Sequence, residues 1–264
     1  MSAGMVFKRL LGALGVGAPK VDTILAPGAV YPGGTLTGEV HMLGGTASFD
    51  IQQVSLEFAG RVEIETEDYE GHRLVGFDKV AVGGAFRLAE GEQRSIPFQI
   101  AVPWETPVTE MYGRQLGIGL GVRTELAVAN AVDAGDMDPI SVLPLPSQEG
   151  VLDALSRLGF IFKAADLEMG RIRGTSQQLP FYQEIEMAPG PQYQGVMNEI
   201  EVTFLANPGG LEVILEADKR GGLFRSGGDV IHRYTVPHEA PGQRDWVSEV
   251  DGWIRAMVDR RGGF

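Results

Sequence analysis

The feature that most constrains this chain is an alternation of apolar and polar residues that begins at Val54. From Val54 to Ile64 the even positions are apolar or glycine, and the odd positions are mostly polar or charged. A period of two over this length predicts a long antiparallel strand that has one face on a core and the other in water. Gly60, in the middle of the strand, predicts a bend or a bulge there.

The same alternation recurs along the rest of the chain. It is found in four further segments: 96–102, 120–128, 200–204 and 211–215. Glycine- and proline-containing turns separate these segments, as is typical of β-sandwiches. A parallel sheet is disfavoured because its crossover helices have no room between the strands.

Helical periodicity is confined to three places. A short apolar stripe covers Phe7–Leu14, a second covers residues 148–158, and a third covers about 244–261, where acids precede arginines as the helix dipole favours. We therefore predict a mainly β fold with two antiparallel β-sandwich domains in tandem. The predicted bounds are 1–145 for the first sandwich, 146–159 for a linker with a short helix, and 160–264 for the second sandwich plus a C-terminal amphipathic helix.

Composition excludes several classes of function. The net charge of −13 argues against nucleic-acid binding, which needs a basic surface facing phosphate. The chain has no cysteine, so disulfides, thiolate nucleophiles and cysteine-bound metals are excluded. No apolar run is long enough to span a membrane, and the N-terminus lacks the features of a signal peptide. A cytoplasmic location is the simplest expectation.

Motifs that carry chemistry are missing or incomplete. The glycine-rich stretch Gly12–Lys20 has Ala18 and Pro19 where a phosphate loop needs Lys and Ser/Thr, and VYPGGTLTGEVHML at 30–43 fits a backbone corner. The four histidines lack the spacing of metal ligands, and no GxSxG elbow is present. The sequence therefore predicts no enzyme, no catalytic residue, no cofactor and no metal site.

Several segments carry a resemblance to a known family. VDTILAPGAVYPGGTLTGEVHMLGG at 21–45 resembles the opening of arrestin-like N-terminal domains. The chain is similar over nearly its whole length to the bacterial sporulation-control proteins of the stage-zero M type, the SpoOM family. The similarity runs through KVDTIL, DPISVLPLPSQEGVLDALSRLGF, FYQEIEMAPG, YQGVMNEIEVTFL and ILEADKRGG, in the family's order.

The resemblance implies two arrestin-like sandwiches with a hinge, and a cytosolic regulatory role in sporulation or stress adaptation without catalysis. Many arrestin relatives set their domain orientation with a charged cluster between the domains. Residues near predicted strand ends or the junction that could supply such a cluster are Arg123, Asp136, Asp138, Asp218, Lys219 and Arg220, with ordinary surface charge as the alternative.

Proteins are the expected partners, and long strand edges make a homodimer plausible. The apolar stripe of the C-terminal helix has two interpretations, core packing or a partner-binding face; it comprises Trp246, Val250, Trp253, Ile254 and Met257. Two rival functions stay open. One is carbohydrate or ligand binding through Tyr31, Trp104, Tyr112, Tyr182 and Tyr193, and the other is weak membrane contact through Phe7–Leu14.

Overall fold

A computed structural model describes residues 17–66, 69–129, 134–217, 231–238 and 244–259 of the chain. The strands of the N-terminal half are β1 (Lys20–Leu25), β2 (Thr35–Leu43), β3 (Phe49–Thr66), β4 (Tyr69–Gly83), β5 (Phe86–Leu88), β6 (Gln93–Ala101), β7 (Glu110–Met111), β8 (Arg114–Gln115), β9 (Leu120–Val128) and β10 (Ala134–Pro139). The C-terminal half contains α1 (Pro146–Arg157), β11 (Ile161–Met169), β12 (Phe181–Ala188), β13 (Ile200–Asn207), β14 (Gly210–Ala217), β15 (His232–Val236) and α2 (Trp246–Asp259). The predicted mainly β fold is confirmed.

The long alternating segment forms β3, and its even-numbered apolar side chains are fully buried from Val54 to Val62, as at Leu56 and Phe58. Of the bend or bulge predicted at Gly60, the bulge is not found: the shifts in the pairing with β4 lie between Val54 and Ser55 and between Glu57 and Phe58. Gly60 instead permits a close approach, since a Cβ at this position would lie 2.9 Å from Leu167 Cδ1.

The N-terminal half packs two sheets around one core. One sheet has the order β1-β2-β6, and the other carries β10, β9 and β3, with β4 and β5 along the opposite edge of β3. Inward-facing side chains of both sheets, such as Val40 and Ile100 from the first and Leu56 and Leu126 from the second, form one hydrophobic cluster. This arrangement is the layered architecture that the alternation predicts.

The C-terminal half is an antiparallel meander of β11 to β15. Its core contains inward-facing residues of β12, β13 and β14 together with Leu152 and Leu155 of α1 and Val250 and Ile254 of α2. In the part of the chain that the structure describes, these two helices contribute a helical layer to the core of the C-terminal half.

A single strand joins the two halves into one sheet. β3 pairs with β9 only as far as Gly60, and beyond that point the same strand pairs in parallel with β11 at Glu63 and Glu168. The resulting sheet has ten strands, with the path β10-β9-β3-β11-β12-β13-β14-β15 and with β4 and β5 beside β3. Backbone pairing therefore continues from one half into the other.

The two halves also exchange core side chains. Leu167 of β11 and Phe181 of β12 belong to the hydrophobic cluster of the N-terminal half. Conversely, Val108, Met111 and Leu116 belong to the cluster of the C-terminal half. Such an interface is apolar and shared, which opposes rigid-body motion of one half against the other.

Both helices within the described residues occur where the sequence predicts them. α1 begins with Pro146 at its first turn, a position where a proline costs no helical hydrogen bond, and Gln148 Oε1 accepts a hydrogen bond from Leu145 N at 2.8 Å. α2 lies against α1, and the Trp246 ring covers Gly150. The third predicted helix, Phe7–Leu14, lies outside the described residues.

Gly150→Val tests this helix contact. A Cβ at Gly150 would lie 2.4 Å from Trp246 Nε1, so we expect the substitution to displace the ring and to lower the free energy of unfolding by about 1–3 kcal/mol. Gly252→Val on α2 is the matched control, because among the described residues no atom beyond its chain neighbours and its own helix backbone lies within 4 Å of its Cβ position. Urea unfolding measures the free energy of unfolding of both variants. Equal losses would show that the packing of the Trp246 ring does not require a glycine at position 150.

Candidate functional site

Of the residues predicted for an interdomain charged cluster, Arg123 lies apart from Asp136 and Asp138. Arg123 on β9 pairs with Glu57 on β3. Met137 lies opposite Arg123 in the β9–β10 pairing, so Asp136 and Asp138 project from the other face of the hairpin. Asp136 Oδ2 accepts a hydrogen bond from Thr23 N of β1 at 3.1 Å. Asp218, Lys219 and Arg220 lie outside the described residues.

The apolar stripe of α2 faces the protein's own core. Val250, Trp253, Ile254 and Met257 are buried in the C-terminal cluster, and Trp246 is partly buried beside α1. Trp253 also stacks on Tyr234, with 4.4 Å between ring centroids. The structure therefore agrees with core packing of this stripe rather than a partner-binding face, because these side chains cover apolar strands.

Three of the aromatic residues considered for carbohydrate binding have different surroundings. Trp104 stacks on His238, Tyr193 stacks on Phe160, and Tyr182 lies on β12. Tyr31 and Tyr112, in contrast, line the same groove.

Polar contacts reinforce the junction between the two halves. The Glu105 carboxylate accepts hydrogen bonds from the backbone N–H groups of Gln178 and Leu179 at 2.8–2.9 Å. The Gln183 side chain makes two bonds to Val108, accepting from its N at 2.9 Å and donating to its O at 2.8 Å. These bonds are directional, so they fix the orientation of the halves as well as their proximity.

An acidic cluster, which we call the junction cluster, lies on the outer face of the sheet where the halves meet. It comprises Glu63 from β3, Asp166 and Glu168 from β11, and Glu184 from β12. Glu63 pairs with Glu168 across the junction, and Asp166 pairs with Glu184. His72 lies on β4, and its Nε2 atom is 3.9 Å from Glu63 Oε2. Like charges placed directly opposite each other on a sheet face repel.

The junction cluster raises the pKa of two of its carboxyl groups. Burial is the largest cause for Glu184, followed by the charges of Glu201, Asp166 and Glu168, and together they raise its pKa to about 9. Burial also raises the pKa of Asp166 to about 6, with Glu186 and Glu63 adding to the effect and His72 opposing it. Glu184 is thus mainly protonated at neutral pH.

The cluster has the donor atoms of a hard-cation site. One carboxylate oxygen from each of Asp166, Glu168 and Glu184 lies within 4.8 Å of the others. Asp166 Oδ1 is shielded from solvent and accepts no hydrogen bond from the described residues. Carboxylate oxygens suit Ca²⁺ or Mg²⁺. The same oxygens can equally share protons, which lowers the repulsion without a metal.

Sequence reasoning missed this cluster because its members lie on three different strands. The signal available was the acidic alternation within β11 and β12, where Asp166 and Glu168 are two residues apart, as are Glu184 and Glu186. That alternation indicates an acidic sheet face, but it carries no information on which strands are neighbours.

Fold and junction together define a class of mainly β protein in which two halves with separate cores share one sheet. The family model of the SpoOM protein matches residues 7–221, and the chain belongs to this family. It is 36% identical over 215 residues to the sporulation-control protein spo0M of Bacillus subtilis (strain 168), covering 81% of each chain. It also matches the crystal structure of Spo0M from Bacillus subtilis, with a TM-score of 0.77, 31% identity, and coverage of 93% of this chain and 99% of that one. The predicted family is confirmed.

Neither of the helices described is both long and apolar enough to cross a lipid bilayer. Membrane contact through Phe7–Leu14 stays a prediction, since this segment lies outside the described residues. Co-sedimentation with anionic vesicles, with and without residues 1–17, measures it.

Proposed function

We propose that this chain is a non-catalytic regulatory protein of sporulation that acts in the cytoplasm by docking other proteins. Its similarity to a sporulation-control protein supports the regulatory role. The observation that carries the docking mechanism is the free edge of β4. This strand has 15 residues and pairs only with β3 among the described strands.

A long edge strand presents unpaired N–H and C=O groups, to which an extended segment of a partner can add as a further strand. Asp78 has a φ of +50° and is skipped in the pairing with β3, which interrupts the regular edge. The part of the β4 edge that is regular enough for strand addition therefore lies before Asp78. Within it, Leu74 is 50% exposed and supplies an apolar contact.

Leu74→Glu tests this docking. A carboxylate on the edge should oppose strand addition, so we expect the tagged variant to retain at least several-fold less of the proteins captured by the unmodified chain from sporulating cells. Ile161→Glu is the matched control, because Ile161 is also an exposed apolar residue, on β11 rather than on β4.

Equal capture by both variants would remove the β4 edge from the proposal. No specific capture by the unmodified chain would remove protein docking altogether. A second copy of the chain is one possible occupant of this edge, and the mass in solution, measured by light scattering for the unmodified chain and for Leu74→Glu, identifies that case.

A further inference from the structure

Two exposed tyrosines flank a groove beside the segment that connects the halves. Tyr31, after β1, is 46% exposed, and Tyr112, between β7 and β8, is 56% exposed. The groove has a volume of about 430 Å³, and its apolar lining includes Leu143 and Pro146. It is separate from the edge of β4, so an argument about it does not depend on strand addition there.

Hydrogen bonds from the backbone of the connecting segment place both tyrosines against it. Leu143 N donates to Val30 O at 2.9 Å, which fixes the residue that precedes Tyr31. Val142 N donates to Thr109 Oγ1 at 2.9 Å, which fixes the start of the β7–β8 hairpin. The groove therefore exists before any ligand binds, and a preformed groove avoids part of the entropic cost of binding.

Tyr112 occupies a backbone position that disfavours it. Its φ is +51°, and that of Gly113 is +71°, as in the two-residue turn of a type I′ hairpin. This turn favours Asn-Gly, because a bulky side chain is strained at positive φ. Strain of this kind is often found at binding sites, and here its result is an aromatic ring held out over the groove.

Acidic side chains lie beside the ring. Glu149 lines the groove, and Asp153 follows one turn later on α1. Burial and then the charges of Asp153 and Glu149 raise the pKa of the Tyr112 phenol, consistent with carboxylates close to it. Glu149 forms no ion pair with a described residue, whereas Asp153 lies 3.9 Å from Arg157 Nη1.

We infer that this groove binds an extended segment of a partner protein that carries arginine and proline. Tyrosine faces accept proline rings and the guanidinium plane of arginine, and carboxylates pair with the guanidinium charge. The chain's net charge of −13 adds a general attraction for cationic segments. An oligosaccharide could stack on the same rings, but it would gain nothing from the negative charge.

The test is fluorescence anisotropy with a labelled peptide of four Arg-Pro-Pro repeats. Tyr112→Asn should weaken its binding by tenfold or more. The same substitution should raise the melting temperature by about 2–4 °C, because asparagine suits the positive φ. Lost binding together with gained stability cannot be ascribed to unfolding. Tyr31→Ser supplies a second variant outside the strained turn and should weaken binding similarly.

Matched controls separate this groove from general attraction to an acidic protein. Phe162→Ser, which removes an exposed ring from β11, should leave the affinity unchanged. A peptide of Gln-Pro-Pro repeats should bind at least tenfold more weakly than the arginine peptide. Equal binding by the unmodified chain, Tyr112→Asn and Phe162→Ser would overturn the inference in favour of charge alone. Binding of cellohexaose without binding of the arginine peptide would overturn it in favour of a carbohydrate site.

Discussion

Replacement of Glu184 by glutamine is expected to raise the free energy of unfolding by about 2–4 kcal/mol at pH 9. The folded protein raises the pKa of Glu184 from its ordinary value of 4.5 to about 9, chiefly through burial and then through the charges of Glu201, Asp166 and Glu168. A shift of this size corresponds to at most about 6 kcal/mol. We expect less because the side chain is only partly buried.

The sign of the effect follows from proton binding. The folded state holds the Glu184 proton more tightly than the unfolded chain does. The stability gained from this protonated carboxyl group is therefore complete below pH 4.5 and is lost as the pH rises towards 9. The acids that face Glu184 lie on β11, β13 and β14: Asp166, Glu168, Glu201 and Glu216. Glutamine stays neutral, so the difference between variant and unmodified chain should grow from pH 5 to pH 9.

Urea unfolding at pH 5, 7 and 9 measures this difference. Glu90→Gln, a substitution of an exposed carboxylate in the turn after β5, is the control and should change the unfolding free energy by less than about 0.5 kcal/mol at each pH. A constant difference between Glu184→Gln and the unmodified chain across this range would show that Glu184 ionises normally in the fold.

Phe181→Ala is expected to lower the free energy of unfolding by about 3–5 kcal/mol. Phe181 is 1% exposed, and although it lies on β12 it packs in the core of the N-terminal half. Its ring contacts that of Phe77 edge-on, with 5.4 Å between centroids, and Phe77 in turn stacks on Phe58. Removing the ring leaves a cavity that the surrounding structure closes only in part.

Phe162→Ala on β11 is the matched control, because Phe162 is 37% exposed and lies outside both core clusters. We expect it to cost less than about 1 kcal/mol. Calorimetry also shows whether the two halves unfold together. A cost for Phe181→Ala as small as that of the control would mean that this ring does not hold the halves together.

Local pattern in the sequence accounts for much of this fold. The alternation from Val54 predicts β3, because a buried face repeats every second residue, and the apolar stripe over residues 148–158 predicts α1. The apolar stripe of α2 was visible too. Its burial was not decided by the pattern, because core packing and partner binding require the same spacing of apolar residues.

Contacts between distant segments left no comparable signal. The bridge between Glu63 and Glu168 joins strands far apart in sequence, and the alternation within each strand does not indicate which strand lies beside it. Gly60 is a second example of a long-range contact without a local signal. Its missing side chain makes room for Leu167 of the other half, whereas the local pattern predicts a bend or bulge in its own strand. The strain at Tyr112 left no signal either, because Tyr-Gly does not indicate the type of turn that these residues adopt.

The sharing of β3 between the halves has a consequence for how such a protein can evolve. A gene fragment ending near Pro146 would encode a product that lacks Leu167 and Phe181, and thus part of its own interior. The complementary fragment would lack Val108, Met111 and Leu116. We therefore expect recombination to transfer this architecture to a new host gene as a whole, and truncated copies to be cleared by proteases.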